Sequence, residues 1–273
     1  MPGPSSDLPS VRRAGSSISA LDVERFRTAL RRAPTHQGRF EQVLRGAIRA
    51  WCRLAAWNVE VTVRAPLPVR VGGRPGAGCV VAVAPHRAWL EPFLLVAAWP
   101  PEAARLVWIG DGRTMTESWW RRRLLPRLGA IPISGGIGAP PVYAELVREA
   151  LAAGAALAVF PERGPPAAAD RTRTISPGFA YLARRAGAPI VPVVVGGTHH
   201  IVRGSAFTLD ILEAINVGEP DPDPFRPEAR RLAHDLARRF EAEVAAVLPD
   251  RTAQLDARRP ARDRWRWLAT LLD

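Results

Sequence analysis

The residue types able to do chemistry gather in three stretches of this 273-residue chain: Pro85-His86-Arg87-Ala88-Trp89-Leu90-Glu91-Pro92, Phe160-Pro161-Glu162-Arg163-Gly164 and Gly196-Gly197-Thr198-His199-His200. An imidazole beside a carboxylate is a base with its orienter, the carboxylate fixing the tautomer and stabilising the imidazolium. His86 and Glu91 are five positions apart, which on one continuous helix sets them roughly 140° apart. They cannot both be helical. Proline is favoured at the first helical position and steers the residue before it away from the α region. The spacing therefore predicts His86 at a strand tip and Glu91 at the N-cap of a helix opening at Pro92. The alternative is a buried histidine at a strand end beside a poor cap.

No nucleophile accompanies the pair. There is no GxSxG elbow, and Ser134 in Ile131-Pro132-Ile133-Ser134-Gly135 lacks the strand–turn–helix context that would expose it. Cys52 and Cys79 lie on apolar runs and read as core, without the CxxC spacing of a metal site. All 38 basic residues are arginine, which removes a Walker-type phosphate loop and any catalytic or Schiff-base lysine. A base without a nucleophile makes the substrate's own hydroxyl the attacking group, which fits direct acyl transfer. His36, His199, His200 and His234 read as solvent-facing or structural, although His199 and His200 follow a strand toward the same place.

The elements that must position these residues are strands alternating with helices. Val59, Val61 and Val63 alternate with polar residues, and Cys79–Ala84, Arg105–Ile109, Ala155–Phe160 and Pro189–Val195 are short apolar runs of strand type. Helical spacing marks Pro92–Trp99, Val142–Ala153, Gly178–Ala186 and Pro227–Val247. This pattern gives an α/β fold, one domain over residues 58–248 with a largely parallel or mixed sheet flanked by helices. The three polar stretches each follow a strand, so they meet in the crevice beyond the strands' carboxyl ends, where ligands bind in open α/β sheets. Residues 1–20 read as a disordered arm, 21–57 as an amphipathic helical arm and 249–273 as a basic, tryptophan-bearing tail.

The first 140 residues hold 20 of the 38 arginines and 9 of the 26 acids, so nearly all of the +12 net charge lies there. That half is expected to face something anionic: a nucleic acid, an anionic membrane surface or an acidic carrier protein. Residues 21–57 read as two helices broken near Pro34–Gly38. The second carries Phe40, Val43, Leu44, Ala47, Ile48, Trp51, Leu54 and Ala55 at helical spacing, with Arg45, Arg49 and Arg53 on the other stripe. Such a helix with Trp51 and Trp57 either lies among lipid headgroups or packs its apolar face on the domain. Trp119-Trp120-Arg121-Arg122-Arg123 and Trp265-Arg266-Trp267-Leu268 repeat the theme. No known nucleic-acid motif is present, so a phospholipid surface is the expected partner. No apolar run is long enough to span a bilayer and the first 19 residues carry no secretory pattern. The expected location is the cytoplasmic, inner face of the cell membrane, held peripherally.

From about Asn58 to Glu243 the chain resembles the lysophospholipid acyltransferases of the PlsC type, which include 1-acylglycerol-3-phosphate acyltransferase. His86 and Glu91 resemble the family's first block, a histidine followed after four residues by an acid. Phe160-Pro161-Glu162-Arg163-Gly164 resembles the third, F-P-E-G-x-R, and Ile190-Val191-Pro192-Val193 the fourth. The resemblance implies a glycerolipid-acyltransferase-like domain in which His86 deprotonates an acceptor hydroxyl for attack on an acyl thioester and Glu91 orients it. It implies substrate-binding roles for Arg87, Ser134, Phe160, Pro161, Glu162, Arg163, Gly164 and Pro192, with Glu162 and Arg163 lining the acceptor pocket and Pro192 the apolar floor. The partners implied are a lipid acceptor and acyl-CoA or acyl-carrier protein as donor, with no metal or prosthetic group.

Three departures qualify it. Glu91 stands where the family usually has Asp, one methylene shorter and a better cap. The second block, normally ending in the Asp-Arg that holds the acceptor phosphate, here runs Gly129-Ala130-Ile131-Pro132-Ile133-Ser134-Gly135. Arg163 and Gly164 are transposed, with Pro165-Pro166 following. These imply an acceptor without the glycerol phosphate headgroup, ahead of Arg171 or Arg173 supplying the lost charge. The other reading is a catalytically degenerate member that binds acyl lipids or membranes.

Overall fold

The computed structural model describes residues 39–65, 67, 78–88, 90–100, 103–111, 118–125, 129–133, 141–164, 168–199, 201–221 and 226–258. The arm at 1–20, the first helix expected after it, His36, Ser134, His200 and the tryptophans at 265 and 267 lie outside them.

Cys79–Ala84 (β2) is apolar at every position, and both faces are needed: Cys79, Val81 and Val83 join one core layer, Val80, Ala82 and Ala84 the other. A strand buried on both sides reads as a continuous apolar run because successive side chains point to opposite faces. Asn58–Val63 (β1), Leu106–Asp111 (β3), Ala130–Ile133 (β4), Ala156–Val159 (β5), Ile190–Gly196 (β8) and Ala206–Ile211 (β9) complete a seven-stranded sheet in the order β1-β9-β8-β2-β5-β3-β4. All neighbours are parallel except β8 and β9. Glu162–Arg163 (β6) and Thr174–Ile175 (β7) form a separate two-stranded hairpin.

The helices are Arg39–Leu54 (α1), Glu91–Ala98 (α2), Trp119–Leu124 (α3), Pro141–Ala152 (α4), Gly178–Ala186 (α5), Pro227–Ala245 (α6) and Leu248–Ala257 (α7). Side chains of α1 and α2 fill the layer on one face of the sheet, and those of α4, α5 and α6 the other. α5 ends at Gly187, whose φ of 62° is the left-handed conformation that closes a helix, and a Cβ there would meet Pro220 at 2.7 Å.

Two expectations about the flanks are corrected. Of the arginine stripe Arg45, Arg49 and Arg53, Arg45 turns inward while Arg49 and Arg53 stay exposed. Arg45 is buried and its Nη1 donates to the Trp99 carbonyl at 2.8 Å, while Arg49 Nε donates to the Ala97 carbonyl at 3.0 Å. The carbonyls at a helix carboxyl end have no partners within the helix and carry its negative pole, so guanidiniums are drawn there. Trp51 and Trp57 pack inward too, edge to face at 4.7 Å, and Trp57 Nε1 donates to the Val202 carbonyl at 2.7 Å. An indole that leaves water keeps an acceptor for its N–H.

The second correction is at the other end, where the tail was expected to begin at residue 249. The chain instead continues as α7, whose Leu248 and Leu255 are buried. Its Arg251 grips the fully buried Asp210 of β9 through Nε at 2.8 Å and Nη2 at 2.6 Å, with Arg64 Nη2 on the same carboxylate at 3.3 Å. A carboxylate in the middle of a sheet persists only when paired and hydrogen-bonded, and α7 supplies the pair.

Candidate active site

His86 stands two residues beyond the carboxyl end of β2, half-buried against Phe160 with ring centroids 4.5 Å apart. Its Nδ1 lies 3.0 Å from Oε2 of Glu91, whose side chain is completely buried. A carboxylate only accepts, so in the neutral imidazole Nδ1 carries the proton and Nε2 the lone pair.

The expected N-cap role of Glu91 is corrected. The cap residue is Leu90, at φ −74° and ψ −30°, and Glu91 is the first residue of α2, with Pro92 behind it. From that place the carboxylate does not cap its own helix but reaches back over the loop. Oε1 accepts the main-chain N–H of Arg87 at 2.9 Å and of Ala88 at 2.8 Å, and Oε2 also lies 2.9 Å from the Ala88 nitrogen. The extra methylene of glutamate supplies this reach from the first turn.

Glu162 sits in the same cluster through main-chain contacts: Oε2 accepts the N–H of His86 at 2.9 Å and Oε1 that of Arg173 at 3.0 Å. Arg87 turns away from the imidazole. Its Nη2 donates to the Ala168 carbonyl at 2.6 Å, to that of Ala169 at 3.5 Å, and to that of Arg171. Burial pulls the Arg87 guanidinium below its ordinary range, the Glu162 charge acts against that, and neighbouring Arg173 adds to it.

Of the other residues singled out in the sequence, Pro161 is buried and its carbonyl accepts the Ser176 N–H at 2.9 Å. Arg163 and Gly164 are exposed on the hairpin. Pro192 is buried in the middle of β8, opposite Ala82 of β2. Between the two arginines that might carry a lost charge, Arg171 is exposed, whereas Arg173 is half-buried with its Nε atom buried and without a hydrogen-bond partner among the described residues. His199 Nε2 lies 3.6 Å from Asp256 of α7, and His234 is exposed on α6. Cys79 is core, its thiol pushed up to about 12 by burial, and burial raises Cys52 as well.

Sequence reasoning did not find the bond from Glu162 to the His86 N–H or the grip of Arg87 on residues 168–171. Nor did it find Thr252 of α7, whose hydroxyl donates to the Ala169 carbonyl at 3.3 Å. Each ends on a main-chain atom, which has no signature in side-chain spacing. Among the described residues no group of three or more His, Cys, Asp or Glu is arranged to hold a metal ion.

A protein-family model described as Acyltransferase matches residues 59–196, about half of the chain and all of the cluster around His86 apart from Thr252. Among solved structures, the 1-acyl-sn-glycerophosphate (LPA) acyltransferase PlsC from Thermotoga maritima is similar at 17% identity and a TM-score of 0.47, over 82% of this chain and 96% of that one. No curated protein sequence matches.

The tautomer set by Glu91 is open to direct measurement. In imidazole 15N spectra of the neutral side chain, His86 is expected to show a protonated, pyrrole-like Nδ1 and a bare, pyridine-like Nε2, and Glu91→Gln to disturb that assignment. A proton on Nε2 in the wild type contradicts it.

Proposed function

The chain belongs to the acyltransferase family, and on that premise we propose that it moves a fatty acyl group from a thioester of coenzyme A or acyl-carrier protein to a hydroxyl of a lysophospholipid or related lipid. The observation that carries this reading is the pair itself, a half-exposed imidazole with Nδ1 held at 3.0 Å by a buried carboxylate. His86 Nε2 takes the proton from the acceptor hydroxyl as the oxygen attacks the thioester carbonyl carbon. Glu91 steadies the imidazolium that forms. The tetrahedral intermediate then breaks its C–S bond, and the thiolate leaves with the proton from His86. Ester and free thiol are the products, and the step draws on no metal or prosthetic group.

On the acceptor side, Arg163 and Gly164 present the hairpin to the lipid. Where the acceptor carries an anionic headgroup, Arg173 is the better placed of the two candidate arginines because its buried Nε has no hydrogen-bond partner among the described residues. The work is done at the inner face of the cell membrane. Val43, Ala47, Ala50 and Leu54 line one exposed stripe of α1, with Val43 70% and Leu54 78% exposed. No described helix is long and apolar enough to cross a membrane, and such a stripe beside Arg53 suits burial at the headgroup boundary.

Two experiments test this. Purified protein given a long-chain acyl donor, as acyl-CoA or acyl-carrier protein, and a panel of lyso- and hydroxylated lipids is expected to release free thiol only with an acceptor. His86→Ala should lower turnover by about 10²- to 10⁴-fold. Turnover independent of His86 overturns the mechanism, and no turnover with either donor leaves the degenerate lipid-binding reading. The double variant Val43→Glu, Leu54→Glu should weaken binding to anionic phospholipid vesicles by about tenfold or more, given the apolar area lost from the interface. Unchanged vesicle binding removes α1 as the docking element.

A further inference from the structure

Resting on the transferase reading above, we propose that Glu162 is a positioning residue that acts on the reaction through the His86 main chain, and does not bind the acceptor. β2 ends at Ala84 and the next residue, Pro85, has no N–H, so the His86 amide is the first main-chain donor beyond the ladder. A half-buried donor of that kind must find an acceptor elsewhere. Glu162 provides it from the neighbouring hairpin at 2.9 Å, and its second oxygen takes the Arg173 N–H, where the chain re-enters β7, at 3.0 Å. One carboxylate thus bridges the loop bearing the base and the segment returning from the hairpin tip, with each oxygen committed to a main-chain hydrogen.

The link is reciprocal. While the hairpin's acid holds an amide of the base-bearing loop, that loop's Arg87 holds the carbonyls of Ala168, Ala169 and Arg171. All three contacts come from one guanidinium nitrogen, Nη2, so a single side-chain end gathers the carbonyls of the turn. Thr252 anchors the same turn to α7 through the Ala169 carbonyl. Two opposite charges, each spent on main-chain atoms of the other's segment, make residues 86–88 and 168–173 one mechanical unit. The base is therefore held at a set distance from the segment that carries Arg171 and Arg173. Displacing a reacting group by about an ångström costs on the order of 10²-fold in rate, so such a brace bears on kcat.

The test uses the full chain with Glu162→Gln, which keeps the shape but turns one oxygen into an amide nitrogen that opposes a main-chain N–H. Expected is a loss in kcat of about 10- to 100-fold, with KM for acceptor and for acyl donor within about threefold of wild type. Formate should restore part of kcat in Glu162→Ala and none in Arg87→Ala. Amide hydrogen exchange without substrate should accelerate at His86 and Arg173 and stay unchanged in β2 and β8. Should Glu162→Gln not fold, Arg87→Lys should show the same loss in kcat at constant KM. A rise in acceptor KM with kcat retained makes Glu162 a substrate contact and overturns the proposal, as does unchanged exchange at His86. Because exchange is read without turnover, a wild-type protein inactive on every acceptor sinks the transferase reading while leaving the brace to be decided by exchange.

Discussion

The buried carboxylate of Glu91 is the interaction on which the site depends. A carboxylate removed from water is tolerated only where its oxygens are met by donors, and here the donors are the His86 ring and the main-chain N–H groups of Arg87 and Ala88. The three groups belong to consecutive residues. Satisfying the charge therefore dictates the path of the loop, and the path of the loop sets the imidazole at the end of β2. The position is favourable for a second reason, since the first turn of a helix carries the positive end of its dipole. One side chain holds the imidazole, shapes the loop and sits at the pole of α2.

What holds α2 in place extends well beyond the matched family region. Its carboxyl end is gripped by Arg45 and Arg49 of α1, the helix whose exposed stripe is proposed to meet the membrane surface. The proposed docking stripe is thus joined to the His86–Glu91 pair by hydrogen bonds, from α1 through its guanidiniums to α2. On the opposite side, Asp210 fastens α7 to the sheet and Thr252 fastens it to the turn that Arg87 holds. The site is held by α1 on one side and α7 on the other.

Much of this was legible because apolar patterning is a local signal. The runs that became β2, β5 and β8 need only their own residues to be recognised, and the His86–Glu91 spacing with Pro92 was enough to fold the pair together. Other strands were hidden for particular reasons. β9 carries Thr208 and Asp210 into the core, and the Asp210 charge is made tolerable by Arg251 and Arg64 from distant segments. β4 is four residues with a proline in it, and β6 and β7 are two residues each. The bonds of Arg45 and Arg49 to α2 were hidden because the carbonyls that receive them lie 54 and 48 positions away. Glu162 was found, but as an acceptor-pocket residue, since its partners are main-chain hydrogens that no residue type announces.

The proposed mechanism needs Glu91 as the group that makes His86 a base. The most direct measurement is acceptor-dependent thiol release by Glu91→Gln beside wild type, each verified as folded by its melting curve. A carboxamide cannot carry the charge that steadies the imidazolium, and one of its ends meets main-chain N–H groups as a donor. Expected is a fall in kcat of about 10²- to 10⁴-fold with the fold retained. A folded Glu91→Gln protein turning over near the wild-type rate would contradict it.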